Sequence, residues 1–396
     1  MKVTVVCENR FRDYIVDIFE KHPESRLKLV NFADWCDEWG GGEKYVAVSD
    51  GLSEFRGIPV VKLGELKEYD GILVAGFNTG YMSQMMRALH DANKKNVTAV
   101  RWLSIHNRAD FIDGDEYDKK HTIYFDSFNE GHPWLGEIQI HVTDNCNLNC
   151  KACTHFTPFV RKYRPMNFEK FEQDIKRLKT LFPEIFVLQL MGGEPLLEPK
   201  LCMEMIRSVR RLYPNCSINI ITNGYLIDKM TEEFWTTVKE NNVTFRVSVY
   251  PKILSKAEKI ETILKSHGIF FLCEVYNKVE FDKYFSCRRE SDGLKNMRRC
   301  HGRGCCTLYY GRMTNCPTPI YVRDVCEELN KAGIDGKWLY AEDAIDIYKE
   351  NDSWSIIERL EKPFEFCSRC DISNTLKIPW EMTEGHLDPG DWFIDY

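Results

Sequence analysis

Three closely spaced cysteines are the first residues in this chain whose types and spacing could do chemistry. Cys146, Cys150 and Cys153 lie in the run Cys146-Asn147-Leu148-Asn149-Cys150-Lys151-Ala152-Cys153. Soft thiolates suit iron–sulfur clusters or zinc. Four cysteines complete an ordinary electron-transfer cluster; three leave one iron with an open position. The same three thiols with His155 also make a tetrahedral zinc set, so the residues alone leave both metals open. The chain has 16 cysteines in 396 residues. It starts Met1-Lys2-Val3-Thr4-Val5-Val6-Cys7, which reads as a strand and lacks the apolar core and cleavage site of an export signal. Structural disulfides are therefore not expected, and metal or cluster ligation is the leading explanation for the cysteines.

The elements that must position these residues follow from periodicity. From Trp134 onward, strands are expected at 137–142, 185–190, 217–222, 244–250 and 269–275, and helices at 168–181, 201–213, 231–241 and 255–267. Asn167 is placed to cap the first of these helices, with Glu169 in its first turn. Repeated units of this length predict a complete or partial parallel barrel, whose chemistry sits at the C-terminal strand ends. The cysteine run follows the first of those strands. Gly192-Gly193-Glu194-Pro195 follows the second, and Thr222-Asn223-Gly224 ends the third. Glycines permit close backbone approach to a ligand, and Glu194 can pair with an ammonium group.

The first ~130 residues also alternate, with strands expected at 2–7, 27–32, 45–48, 59–61, 71–75 and 97–102 and helices at 11–21 and 81–94. Met82, Met85, Met86 and Leu89 share one face of the second helix. This predicts a small α/β layer with a mainly parallel sheet. Glu8-Asn9-Arg10-Phe11-Arg12 stands where a dinucleotide site would need glycines, so a docking or structural role is expected instead. Residues 110–130 read as a linker. The formal net charge is −7, and no long Lys or Arg run occurs; nucleic acid is not an expected partner. No window approaches 18 consecutive apolar residues, so no membrane span is expected, and the cytoplasm is the expected location.

The C-x₃-C-x₂-C loop after a first barrel strand, followed in order by the GGEP and TNG segments, resembles the radical S-adenosylmethionine (SAM) superfamily. The resemblance implies an α/β fold with a partial (β/α)6 barrel over 131–285; the alternation before it reads as a Rossmann-like domain over 1–130. It implies that Cys146, Cys150 and Cys153 hold three irons of a [4Fe–4S] cluster whose fourth iron chelates SAM. Gly192, Gly193 and Glu194 would meet the SAM amino group, Thr222 and Asn223 would line the site, and Ser248 would reach the ribose. In one respect the chain departs from the pattern: the residue before the third cysteine, usually aromatic, is Ala152. Its backbone could still meet the adenine, and Phe156 follows three positions after Cys153.

Cys300, Gly311 and Cys316, followed by the pair Cys367 and Cys370, resemble the shorter, twitch type of SPASM-related auxiliary domain, here over 286–396. That resemblance implies one auxiliary [4Fe–4S] cluster on these four cysteines; a Cys₄ zinc is the competing reading. Cys287, Cys305 and Cys306 could replace Cys300, or deliver a hydrogen atom to a substrate radical, or simply pack. His301 could hydrogen-bond the auxiliary cluster. The family chemistry needs a reductant such as flavodoxin or ferredoxin. The expected reaction is dehydrogenation or epimerisation of a sugar, nucleotide sugar or aminocyclitol; maturation of a ribosomally made peptide is the alternative. An activase of a glycyl-radical enzyme is a further class, but ferredoxin-like inserts are absent near the triplet. A non-catalytic zinc scaffold completes the set. Tyr250, Glu274 and His155 are candidate substrate contacts.

Overall fold

Short apolar runs build the first sheet of the computed structural model, which describes residues 2–7, 12–21, 28–34, 52–67, 69–75, 79–95, 97–100, 125–127, 133–275, 279–300, 302, 304–336, 342–385 and 387–396. The chain falls into two units, Met1–Gly136 with Ser353–Glu358, and Glu137–Asp352 with Arg359–Tyr396.

In the first unit, strands β1 (Lys2–Cys7), β2 (Lys28–Asp34), β3 (Glu54–Phe55), β4 (Ile58–Lys62), β5 (Gly71–Ala75), β6 (Val97–Val100) and β7 (Phe125–Ser127) stand in the order β3-β4-β2-β1-β5-β6-β7. β4, β2, β1, β5 and β6 run parallel, and β3 and β7 are antiparallel edges. The parallel strands thus follow a third-second-first-fourth-fifth order, the Rossmann-like arrangement. Helices α1 (Arg12–Lys21) and α2 (Thr79–Asp91) connect them. Val3, Val5, Ile15, Val16, Phe32 and Leu73 pack into one core, as near-continuous apolar strands of a parallel sheet require. Met85, Met86 and Leu89 are buried along α2. The strand expected at 45–48, residues 8–11 after β1, and the linker apart from 125–127 lie outside the described residues.

The second unit carries β8 (Leu135–Thr143), β9 (Ile185–Gly192), β10 (Ser217–Thr222), β11 (Thr244–Val249) and β12 (Phe270–Val275), adjacent in that order. β9 to β12 are parallel. The connecting helices are α3 (Phe168–Leu181), α4 (Pro199–Leu212), α5 (Glu232–Glu240) and α6 (Ala257–Ser266). Local chemistry fixes their starts. Asn167 Oδ1 accepts the Lys170 N–H at 2.8 Å, Thr231 Oγ1 accepts the Phe234 N–H at 3.3 Å, and Pro199 fills a first-turn position that needs no donor.

After β12 the chain leaves the barrel sheet. β13 (Glu280–Lys283) pairs antiparallel with a distant strand, Leu376–Pro379. The hairpin β14 (Thr307–Tyr309) and β15 (Arg312–Thr314) joins the other edge: Thr307 pairs in parallel with Gln139 of β8. β16 (Ile345–Asp346) follows beside β15, and Leu376–Pro379 is β17. The hairpin turns at Tyr310 and Gly311, with φ of 48° and 76°; a Cβ on Gly311 would lie 2.8 Å from the Tyr348 ring, so the turn demands glycine. Short helices α7 (Gly293–Arg299), α8 (Thr318–Tyr321), α9 (Arg323–Lys331) and α10 (Ser353–Leu360) complete the described elements. Among the described residues no helix is long and apolar enough to cross a membrane.

Candidate functional site

The cysteine loop begins where β8 ends, and the Gly192-Gly193 and Thr222-Asn223 segments converge on it. Cys146, Cys150, Ala152, Cys153, Gly192, Gly193, Thr222, Asn223 and Ser248 all line one cavity of about 390 Å³. His155 and Tyr250 line it as well, joined by Glu280, Asp282 and Tyr284. Asn149 and Ala152 adopt left-handed backbone, with φ of 49° and 51°, which winds the loop tightly enough to turn its thiols inward.

Gly192 and Gly193 are required by the cysteine loop itself. A Cβ on Gly192 would stand 2.2 Å from the Thr143 carbonyl oxygen, and one on Gly193 would stand 2.1 Å from that of Asn145. The backbones are laced together: the Gly193 N–H donates to Thr143 O and the Glu194 N–H to Asn145 O, both at 2.9 Å. Asn223 Nδ2 donates to Asn147 Oδ1 at 2.7 Å, tying the turn after β10 to the same loop.

Glu194 sits beneath this floor. It is fully buried and is not among the cavity-lining residues, in contrast to the expectation that it meets a ligand ammonium. Its carboxylate is taken up by the protein. It accepts from the Leu196 N–H at 3.0 Å, the Thr222 hydroxyl at 2.6 Å and the Asn223 N–H at 2.8 Å. Burial outweighs these three donors and pushes its pKa up to about 7.

The thiols differ in their partners. The Leu148 N–H donates to Cys146 Sγ at 3.5 Å, Cys153 Sγ lies 3.7 Å from Thr157 Oγ1, and the Trp380 indole N–H donates to Cys150 Sγ at 3.1 Å. Burial pushes the Cys146 thiol up to about 12 and raises Cys150 also, the latter helped by Cys153. Such thiols bind metal by losing protons to it. Among the described residues no group of three or more His, Cys, Asp or Glu is placed to hold a metal ion. Thiolates of a cluster each bind a different iron and need not converge on one point. Soft donors on one wall, facing a common cavity, therefore fit a cluster better than a single zinc shared with His155. His155 itself is buried, its Nε2 has no partner, and burial holds its pKa down to about 3.

Cys300 follows α7, Cys316 follows β15, Cys367 lies within the turn Glu365–Arg369 and Cys370 caps it. The four lie within electrostatic reach of one another. Burial first, then the neighbouring Cys367 and Cys300, raises the Cys316 thiol; Cys370 is raised in the same way by burial, Cys300, Cys316 and Cys367. The Asn296 amide fixes the turn by donating to Cys367 O at 3.0 Å. His301 lies outside the described residues.

Cys287, Cys305 and Cys306 are not among the residues that line the cavity, against their expected role as hydrogen-atom donors. Cys287 packs in the aromatic core with Phe285 and Trp392, its N–H donating to Asp395 Oδ1 at 2.7 Å. Cys306 is buried, and its carbonyl accepts the Gln139 N–H at 2.7 Å. Cys305 instead lies within electrostatic reach of Cys300. Glu274 does not line the cavity either; Arg246 Nη2 stands 3.8 Å from its carboxylate. Phe156 is fully buried against Phe285 and Phe393, so it supplies no adenine platform.

The C-terminal tail carries what sequence reasoning missed. Besides Trp380, Trp392 donates its indole N–H to the Cys153 carbonyl at 2.9 Å. Both tryptophans are more than two hundred residues from their partners in sequence, and no local spacing marks them.

A partial parallel barrel with a three-thiol loop at the C-terminal end of its first strand defines an α/β barrel class whose site is built for a soft metal centre. Residues 140–269, about a third of the chain, match the family model of the Radical SAM superfamily, whose members use a [4Fe–4S] cluster with SAM. The GTP 3',8-cyclase of Microcystis aeruginosa is 30% identical over 97 residues, 24% of this chain and 29% of that one. The FeMo cofactor biosynthesis protein NifB of Azotobacter vinelandii is 26% identical over 111 residues, 26% of this chain and 22% of the relative. The chain thus spans less than a third of the length of either relative. Among solved structures, BtrN in complex with AdoMet and 2-DOIA aligns over 59% of this chain and 92% of its own, with 15% identity and a TM-score of 0.31.

Proposed function

We propose that this protein binds a [4Fe–4S] cluster through Cys146, Cys150 and Cys153, cleaves SAM reductively, and dehydrogenates a small hydroxylated substrate such as a sugar or aminocyclitol. The observation that carries the reading is the shared cavity: the triplet, the two glycines, Thr222, Asn223 and Ser248 line one cavity. When bound, the cluster and SAM supply a 5′-deoxyadenosyl radical that takes a hydrogen atom from a substrate carbon. The chain's own residues orient the reactants and exclude water. Ser248, Tyr250 and Thr157 are hydroxyl-bearing residues of the cavity lining, suited to a hydroxylated substrate. Among the described lining residues there are two carboxylates, Glu280 and Asp282, and no Lys or Arg. This favours a neutral or amino-bearing sugar or aminocyclitol over a nucleotide sugar, whose diphosphate would want cations.

Dehydrogenation is favoured over epimerisation because the thiols that line the cavity are the three cluster ligands, and quenching a substrate radical from the opposite face needs another hydrogen-atom donor. After losing the hydrogen atom, the substrate must give up one electron and one proton. Cys300, Cys316, Cys367 and Cys370 would hold an auxiliary [4Fe–4S] cluster as electron acceptor, and the proton would leave through the cavity's polar side chains to water. A flavodoxin or ferredoxin is the proposed reductant.

The test is SAM cleavage by the anaerobically reconstituted chain under dithionite, with and without a panel of sugars, aminocyclitols and nucleotide sugars. The account expects 5′-deoxyadenosine from the wild type, none from Cys150→Ala, and stimulation by a neutral or amino-bearing polyol with formation of a carbonyl product. Cleavage by Cys150→Ala, or stimulation confined to peptides or nucleotides, contradicts it.

A further inference from the structure

Trp380 reaches the cysteine loop across 230 positions of sequence, and its indole N–H···S contact of 3.1 Å is the shortest hydrogen bond made to any of the triplet thiols among the described residues. Its placement is over-determined. The Trp380 N–H donates to Val279 O at 2.9 Å. The next residues add a backbone ladder to the loop, with the Lys151 N–H on Glu381 O at 2.9 Å and the Thr383 N–H on Asn149 O at 3.0 Å. Lys151 Nζ closes the edge with Glu381 Oε2 at 3.0 Å and Asp391 Oδ1 at 3.5 Å. On its other side the Trp380 ring stacks on Tyr250, with centroids 5.7 Å apart and planes 5° apart. Tyr250 itself lines the cavity.

We infer that Trp380 is a positioning residue that sets the reduction potential of the cluster on Cys146, Cys150 and Cys153, and that Tyr250 links this setting to what occupies the cavity. The inference rests on the cluster assignment proposed above. A hydrogen bond to a ligand sulfur favours the more negative, reduced state, so it raises the potential. Cys150 is largely buried, where such a donor counts for more than in water. Any occupant that presses on Tyr250 also moves the ring that holds the donor in place.

The test is a potentiometric titration followed by electron paramagnetic resonance on the reconstituted full chain, following the signal that added SAM perturbs. Wild type, Trp380→Phe and Trp380→His are compared at equal iron and sulfide content. Phenylalanine keeps an aromatic ring against Tyr250 and removes the N–H; histidine restores a ring donor. The expected result is at least a tenfold fall in the reduction equilibrium constant for Trp380→Phe, 59 mV for a one-electron couple, with partial recovery in Trp380→His. A potential unchanged in Trp380→Phe overturns the inference. So does equal loss of the cluster from both variants, which would make Trp380 structural only. A wild type that shows no SAM-perturbed signal would instead contradict the cluster assignment itself.

Discussion

The Asn223 backbone N–H donates to Glu194 Oε2 at 2.8 Å while the Thr222 hydroxyl donates to Oε1 at 2.6 Å, so one buried carboxylate fixes the turn after the third barrel strand. That turn in turn grips the cysteine loop through Asn147. Two segments that resemble ligand-contact motifs are therefore also the scaffold of the loop between them.

Glu194 gives a signed pH prediction. Its folded pKa, about 7, lies above an ordinary unfolded value near ~4.3. Between these values the folded state binds more protons, so stability falls as pH rises through the window and levels off above about 7. The span corresponds to on the order of 3 kcal/mol. The difference in stability between the wild type and Glu194→Gln, measured by chemical denaturation of the metal-free chains from pH 4.5 to 8, should show this slope, because the opposite contribution of His155, held down to about 3 by burial, is common to both. An equal slope in both proteins would contradict the burial argument.

Gly193→Ala should be severe. A Cβ there meets backbone, 2.1 Å from Asn145 O, and backbone cannot rotate away as a side chain would. A loss of about 1–3 kcal/mol or more is expected, together with poor iron retention after reconstitution. Gly64→Ala, where nothing lies within 4 Å, should stay within about 0.5 kcal/mol. Denaturant midpoints and iron content of the two variants check the contrast.

Trp392→Phe should destabilise through one named atom. Trp392 is fully buried, and its loss removes one of two donors to the Cys153 carbonyl, which keeps the Phe156 N–H at 3.0 Å, a cost of about 0.5–1.5 kcal/mol. The Phe159 contact, with ring centroids 4.6 Å apart, would be partly kept. A midpoint equal to the wild type would show that the Phe156 N–H alone satisfies the Cys153 carbonyl.

Cys316→Ala should separate the two thiol groups. Iron should fall from about eight to about four per chain, with SAM cleavage retained and turnover to the oxidised product lost. Loss of SAM cleavage at the same time would mean that the auxiliary thiols support the barrel site structurally.

Much of this architecture is legible from local sequence. The barrel helices begin at Asn167 and Thr231 because those side chains cap them, and the cysteine triplet, Gly192-Gly193 and Thr222-Asn223 fall at strand ends by simple alternation. The reading fails where partners are distant. Phe156 looks available beside the cysteines, yet Phe285 and Phe393 draw it into the core. Glu194 looks like a ligand group, yet three nearby donors claim it. β13 departs from the barrel sheet because it finds its partner in β17, about a hundred residues on. Trp380 and Trp392 carry no spacing signal at all, since their significance lies in contacts that only folding creates.

The most direct test of the central claim is iron and acid-labile sulfide per chain after anaerobic reconstitution, in wild type and in the Cys146→Ala, Cys150→Ala, Cys153→Ala triple variant. The account predicts about eight irons in the wild type and about four in the variant, with the SAM-perturbed paramagnetic signal absent from the latter. Equal iron in both proteins, or zinc in place of iron in the wild type, would contradict it.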